Sequence, residues 1–103
     1  MATIPVPEKI CSLSKVDLNL LTIFCLIYSV GSISKVADML DISASAVSQS
    51  LRKLREMMGD NLFVRSGNIL LPTVFSDELY DNTISIIDKL STLLPDSAPS
   101  RKK

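Results

Sequence analysis

A chain of 103 residues with 47% apolar types can bury one small core but not two, and its 11 basic and 11 acidic residues leave no overall charge that would announce a nucleic-acid partner. With no histidine and only two cysteines, Cys11 and Cys25, neither a Cys/His zinc site nor a Cys-His nucleophile can be assembled within one chain, and the thiols read as a reduced cytoplasmic pair. The longest apolar stretch, Leu18 to Val30, is about thirteen residues and holds Asn19 and Thr22, too short and too polar for a bilayer span, and the start lacks the basic-then-apolar pattern of a secretory signal. The expectation is a cytoplasmic protein with no membrane partner, no metal and no cofactor.

Residues 1–15 contain prolines and serines without periodicity and are expected to form an irregular lead-in. A first helix follows Asp17, a plausible N-cap. Its apolar residues Leu18, Leu21, Ile23, Phe24, Cys25, Ile27 and Tyr28 cover several faces, as in a helix buried between others, and Gly31 stops it. The spacing of Ile33, Val36, Ala37 and Leu40 predicts a second helix from about Ser34, a candidate cap, to Leu40. Asp41-Ile42-Ser43 then leads into a third helix capped by Ser43 and ended by Gly59, with Val47, Leu51, Leu54 and Met58 on its apolar stripe. Two helices joined by so short a connection make a helix-turn-helix.

Opposite that stripe, Ser45, Ser48, Gln49 and Arg52 share one polar face. Hydroxyl and amide groups near a helix start suit base edges, and Arg52, Lys53 and Arg55 supply charge for phosphates. A polar outer face alone is what any amphipathic helix carries, so the segment that follows matters. In Leu62 to Pro72 two short apolar runs flank Ser66-Gly67-Asn68, a small β-hairpin. A hairpin directly after a helix-turn-helix is a wing, and Arg65 on it is placed to meet backbone phosphate. Charge distribution agrees. Ser32 to Pro72 holds five basic against four acidic residues, whereas Thr73 to Pro95 holds only Lys89 against Asp77, Glu78, Asp81 and Asp88.

After Pro72, Thr73 can cap a long helix reaching about Leu94 and ended by Pro95. Leu79, Thr83, Ile86, Leu90 and Leu93 form one apolar strip, and Phe75, Tyr80, Ile84, Ile87 and Leu94 a second. Two strips predict two partners, the chain's own first helix and a second copy. The residues assigned to the dimer contact are Phe75, Leu79, Thr83, Ile86, Ile87, Leu90 and Leu93. The expected organisation is a lead-in (1–15), a mainly α winged helix-turn-helix of three helices and a hairpin (16–72), a linker or dimerisation helix (73–94) and a disordered tail (95–103).

The run DLNLLTIFCLIYSVGSISKVADMLDISASAVSQSLRKLREMMGDNLFVRSGNILLPT resembles the DNA-binding region of LysR-type transcriptional regulators of bacteria almost position by position. The likeness spans Val16 to Leu94. The "AVS" third helix, the Leu-Arg pair, the Gly-Asp step and "LFVR" plus glycine are its specific marks. The resemblance implies double-stranded DNA as partner, the third helix in the major groove, and a homodimer or dimer of dimers. It places Ser48 and Gln49 at base edges, and Lys35 and Arg65 at phosphates. The wider surface it marks also takes in Ser32, Ser34, Ser43, Ala44, Ser45, Arg52, Lys53, Gly67 and Thr73. One departure stands out: where the family usually starts this helix with Ser-Gln-Pro, this chain has Ser43-Ala44-Ser45, so the amide contact is lost and a hydroxyl is offered instead.

LysR-type regulators ordinarily continue into a large α/β effector-binding domain, none of which is in this sequence. An N-terminal fragment and a naturally short regulator both fit. Sequence-specific DNA binding is the leading function. The alternative is an interaction module that forms a heterodimer with a full-length relative and modulates it, a reading favoured by the neutral charge and by Ala44. An enzyme is a distant third, because no constellation for chemistry is present.

Overall fold

The structure, a computed structural model, describes residues 7–95. In chain order these form α1 (Glu8–Ser14), α2 (Asn19–Val30), α3 (Ile33–Leu40), α4 (Ala44–Met58), strands β1 (Phe63–Ser66) and β2 (Ile69–Pro72), and α5 (Val74–Ser91). The three helices, hairpin and long helix expected from the sequence are α2 to α5, and α1 precedes them.

The core is centred on α2, whose Leu20, Ile23, Phe24, Cys25 and Ile27 are all buried because α3, α4, α5 and β2 surround it. Val36 and Ala37 from α3, Val47, Leu51 and Leu54 from α4, and Leu62, Phe63 and Leu70 around the hairpin complete it. Each fully buried aliphatic or aromatic side chain contributes about 1.5–3 kcal/mol. Both cysteines are free, Cys11 exposed and Cys25 buried, and burial pushes the Cys25 thiol above its ordinary value.

Local chemistry explains the helix ends. Ser43 caps α4 by accepting the Ala46 N–H at 3.0 Å, and Gly59 closes it in the left-handed region at φ 67°. Asp41 closes α3 at φ 57°, where a short polar side chain tolerates the left-handed region, while the Ile42 N–H donates to the Ala37 carbonyl at 3.0 Å in a Schellman-type turn. Gly31 at φ 66° ends α2, its carbonyl accepts the Leu70 N–H at 3.0 Å, and a Cβ there would stand 3.4 Å from the Leu70 carbonyl oxygen. The hairpin is thus fixed to the end of α2.

Four expectations need correction. The lead-in is not wholly irregular: Glu8–Ser14 is helical, entered from Pro7 at φ −61° with Glu8 in the first turn, where a carboxylate favours the positive end of the helix dipole. Residues 1–6 of that lead-in lie outside the described residues. Ser32, not Ser34, caps α3, its hydroxyl accepting the Lys35 N–H at 3.3 Å, because Ser32 holds the extended backbone that a cap needs. The first long helix begins after Leu18, with the Asp17 carboxylate accepting the Asn19 N–H at 3.0 Å, so Asp17 serves its start from one residue further out. Helix α5 ends at Ser91 and not Leu94: beyond it the Leu93 and Leu94 N–H groups donate to the Leu90 and Ser91 carbonyls, three residues back, in tighter turns, while the Ser91 and Thr92 hydroxyls donate to the Ile87 and Lys89 carbonyls. Leu93 and Leu94 follow in a turn, and the tail expected to be disordered lies, from Asp96 on, outside the described residues.

A hydrogen-bonded joint ties the base of the hairpin to the start of α5. Asp60 accepts the Leu62 N–H and the Thr73 hydroxyl, both at 2.8 Å, and the buried Ser76 hydroxyl donates to the Leu62 carbonyl at 2.6 Å. Leu62 is fully buried in the left-handed region at φ 68°, with the Phe63 N–H donating across it to the Asn61 carbonyl at 2.7 Å. Such a bend costs about 1–3 kcal/mol, offset by the burial of Leu62 and these bonds.

Helices α2 and α5 run antiparallel. The Tyr28 hydroxyl donates to Asp77 Oδ1 at 2.7 Å and its ring stacks on Tyr80, centroids 4.1 Å apart and planes 11° from parallel. The hydrogen bond, then burial and the negative charges of Asp77 and Asp81, push the Tyr28 phenol up to about 12. Because the folded value is raised, this contribution to stability is complete below the ordinary tyrosine value of about 10 and is lost as pH climbs through the raised one. A phenolate absorbance titration of the wild type minus that of Tyr28→Phe should therefore show its transition above pH 10; a transition at the ordinary value would mean the Tyr28–Asp77 bond does not form in solution.

Candidate nucleic-acid interface

Three elements converge on one cleft. Ser32, Ile33 and Ser34 at the start of α3, Ala44 and Ser48 on the first turns of α4, and Arg65, Asn68 and Leu70 on the hairpin line a space of about 310 Å³ floored by Gly31. The hairpin register puts Arg65 opposite Leu70 and Phe63 opposite Pro72, so Arg65 lies on the face that turns toward the helices, while Val64, Ile69 and Leu71 face outward. Gly67, at φ 61° with open space around its Cβ position, supplies the tight turn at the hairpin tip.

On α4 the apolar stripe Val47, Leu51 and Leu54 is buried, and Ser45, Ser48, Gln49, Arg52 and Lys53 are exposed on the opposite side. Successive turns of one helix carry them, as the 3.6-residue period requires. Ser43 is spent on capping α4, and the Ser32 and Ser34 hydroxyls share a hydrogen bond at 3.1 Å. Lys35 is exposed in the first turn of α3, outside the cleft lining.

The structure brings Ser32, Ser34, Ala44, Ser48 and Arg65 together and leaves others apart. The Thr73 hydroxyl accepts the Ser76 N–H at 3.2 Å as the α5 cap and donates to Asp60, so it belongs to the joint below the hairpin. Arg55, read from the sequence as a further phosphate charge, directs its guanidinium to the Asn61 carbonyl at 2.8 Å and the Phe63 carbonyl at 3.4 Å. Asn68 was missed by the sequence reading, although its place in the Ser66-Gly67-Asn68 turn is where a hairpin tip reaches furthest. Asp60 was missed as well, and its position two residues before Leu62 is the signature of an Asx turn.

The apolar strips of α5 also separate. Leu79, Tyr80, Ile84 and Ile87 pack on the chain's own core and Thr83 is only 3% exposed, whereas Ile86 and Leu90 are 55% and 52% exposed. Of the seven dimer candidates, Leu79, Thr83 and Ile87 therefore serve the chain's own fold, because the i, i+4 and i+8 positions that face α2 include them. Phe75, Ile86, Leu90 and Leu93 stay open, the last in the turn beyond the helix. Beside Ile86 and Leu90 lies a groove of about 270 Å³ whose other wall is Leu18, Asn19, Leu21 and Thr22.

Residues 18–75 match the bacterial regulatory helix-turn-helix proteins of the lysR family. The chain belongs to that family. This LysR-family chain is 46% identical over 87 residues to the uncharacterized HTH-type transcriptional regulator YbdO of Escherichia coli K12, covering 75% of this chain and 29% of that protein. It is 35% identical over 85 residues to the HTH-type transcriptional regulator LeuO of the same organism, covering 82% and 27%. It thus spans less than a third of the length of these relatives. Among solved structures, a probable transcriptional regulator of Pseudomonas aeruginosa, PA0477, superposes with a TM-score of 0.76 at 35% identity over 85% of this chain and 29% of that one. The fold is shared with the BenM DNA-binding domain, determined in complex with benA site 1 DNA, at a TM-score of 0.71 and 23% identity over 76% of this chain and 91% of that one. The chain carries the winged helix-turn-helix DNA-binding domain of a LysR-type transcriptional regulator. The alternative of an interaction module finds no support, since the match covers the helix-turn-helix itself.

Proposed function

We propose that the chain binds double-stranded DNA in a sequence-specific way as a homodimer, with α4 in the major groove and the hairpin astride the adjoining backbone. The observation that carries this reading is the cleft in which Ser48 of α4, the first turn of α3 and Arg65 of the hairpin face one another. A duplex seated there brings base edges to Ser48 and Gln49, and phosphates to Arg65, Lys35 and the serines at the start of α3. Ala44, apolar and exposed at the start of α4, is suited to a thymine methyl and not to a hydrogen-bonding base edge. Its place of action is the compartment that holds the chromosome, the bacterial cytoplasm. A second copy covers the groove beside Ile86 and Leu90 and sets two copies of α4 at a fixed separation. A related regulator with an apolar helix face of the same kind would make a heterodimer the further partner. No single helix among the described residues is long and apolar enough to cross a membrane.

The test is duplex binding at two salt concentrations. Arg65→Ala and Lys35→Ala should weaken selected and random duplexes alike and each flatten the salt dependence by about one counterion. A changed sequence preference with an intact salt slope would make that residue a base reader. Site selection with Gln49→Ala should give a relaxed consensus, a loss of about 1–3 kcal/mol in discrimination at the position it reads. An unchanged consensus would move readout to the hairpin or to DNA shape.

A further inference from the structure

Four of the chain's five aromatic rings form one continuous row through the domain. Phe63 of β1 lies 5.6 Å from Phe24, Phe24 lies 6.1 Å from Tyr28, and Tyr28 stacks on Tyr80 of α5 at 4.1 Å. The row runs from the hairpin that flanks the candidate DNA cleft, across α2, to the helix that carries the open apolar surface. At its end stands a polar lock, the Tyr28 hydroxyl donating to Asp77 Oδ1 at 2.7 Å across 49 residues of sequence. Phe24 and Phe63 are buried and account for themselves as core. The lock does not: it is solvent-exposed, and a stack without the hydroxyl would bury the same apolar area. What the hydroxyl adds is direction, because a short hydrogen bond fixes where along α5 the Tyr28 ring sits.

Asp77 is in the first turn of α5 and Leu90 near its end, about 20 Å further along at 1.5 Å per residue. A tilt of about 10° about the Tyr28 contact would carry Leu90 sideways by about 3.5 Å, close to the roughly 3.4 Å that one base pair adds along the duplex axis. The angle between α2 and α5 is thus the quantity that converts a dimer contact at Leu90 into a distance between two α4 helices. From this geometry we infer that Tyr28, held by Asp77 and Tyr80, is the positioning residue that sets the spacing between half-sites accepted by the dimer. The inference rests on the homodimer reading above.

The experiment measures affinity of the full chain for duplexes bearing two copies of the selected half-site, with their separation varied in single base-pair steps. Wild type should show one preferred spacing. Tyr28→Phe keeps the ring and loses the lock, and Asp77→Ala loses it from the other side. Both should remain dimeric with an unchanged half-site consensus, while discrimination against a one-step error in spacing falls about fivefold, the factor one exposed hydrogen bond carries. Asp77→Asn keeps an oxygen to accept from Tyr28 and should retain the wild-type profile, a rescue that a general loss of stability would not give. An unaltered spacing profile in Tyr28→Phe overturns the inference with the dimer intact. A wild type that sediments as a monomer and shows no preferred spacing overturns the dimer reading itself, and the inference with it.

Discussion

Phe24→Ala should cost about 3–5 kcal/mol of folding stability, the range for removing a buried aromatic side chain and leaving a cavity. The ring is fully buried on the central helix, against Tyr28 on one side and Phe63 on the other, so no neighbour can close over the gap without the hairpin moving. A small domain has about 5–15 kcal/mol in all, and this one change removes a large part of it. Because Phe63 leads directly into the strand that holds Arg65, loss of the ring should also loosen the hairpin and weaken DNA binding. Urea denaturation of wild type and variant at one protein concentration checks the first effect, the fixed concentration being needed because pairing of two copies would add to the stability measured. A loss below about 1.5 kcal/mol would mean that the core repacks around the site and that the aromatic row is not its centre.

How much of this was legible in the sequence depended on the range of the interactions. The helix-turn-helix could be read because its determinants are local: the Ser43 cap, the Gly31 and Gly59 stops and the stripe Val47, Leu51, Leu54 all act within a turn or two. The Ser66-Gly67-Asn68 turn likewise announced the hairpin. Assignments failed where a side chain had a distant claim on it. Thr73 caps the long helix as read, but its place in the DNA surface did not foresee that Asp60, thirteen residues earlier, holds its hydroxyl. Arg55 looked like another phosphate charge until the backbone after Gly59 curled under it. On α5 the apolar residues divide differently from the two strips read in the sequence: Leu79 and Thr83 of the first pack against the domain with Tyr80, Ile84 and Ile87 of the second, and Ile86 and Leu90 are exposed. Hydrophobicity alone cannot order two faces of one helix when both are apolar; the direction in which α5 leaves the Asp60 joint does so.

That sorting sharpens the test of dimerisation. Ile86 and Leu90 are more than half exposed within the single chain, so an aspartate at either should leave the fold of the monomer nearly unchanged. In a dimer that covers the groove beside Leu18 and Leu21, the same aspartate would be an unpaired charge in an apolar seam, at a cost of several kcal/mol. Each α4 spans only a few base pairs, so useful affinity needs two half-sites held together, and loss of the dimer should take specific binding down with it. The expected result is that Ile86→Asp and Leu90→Asp sediment as monomers at micromolar concentration, keep the helical spectrum of the wild type, and bind selected sites no better than random DNA. Ile87→Asp should instead lower the stability of the single chain itself, because the partly buried Ile87 packs on the core. If the wild type itself sediments only as a monomer and that monomer holds a single half-site tightly, α5 serves some purpose other than pairing, and the two-half-site account of recognition fails with it.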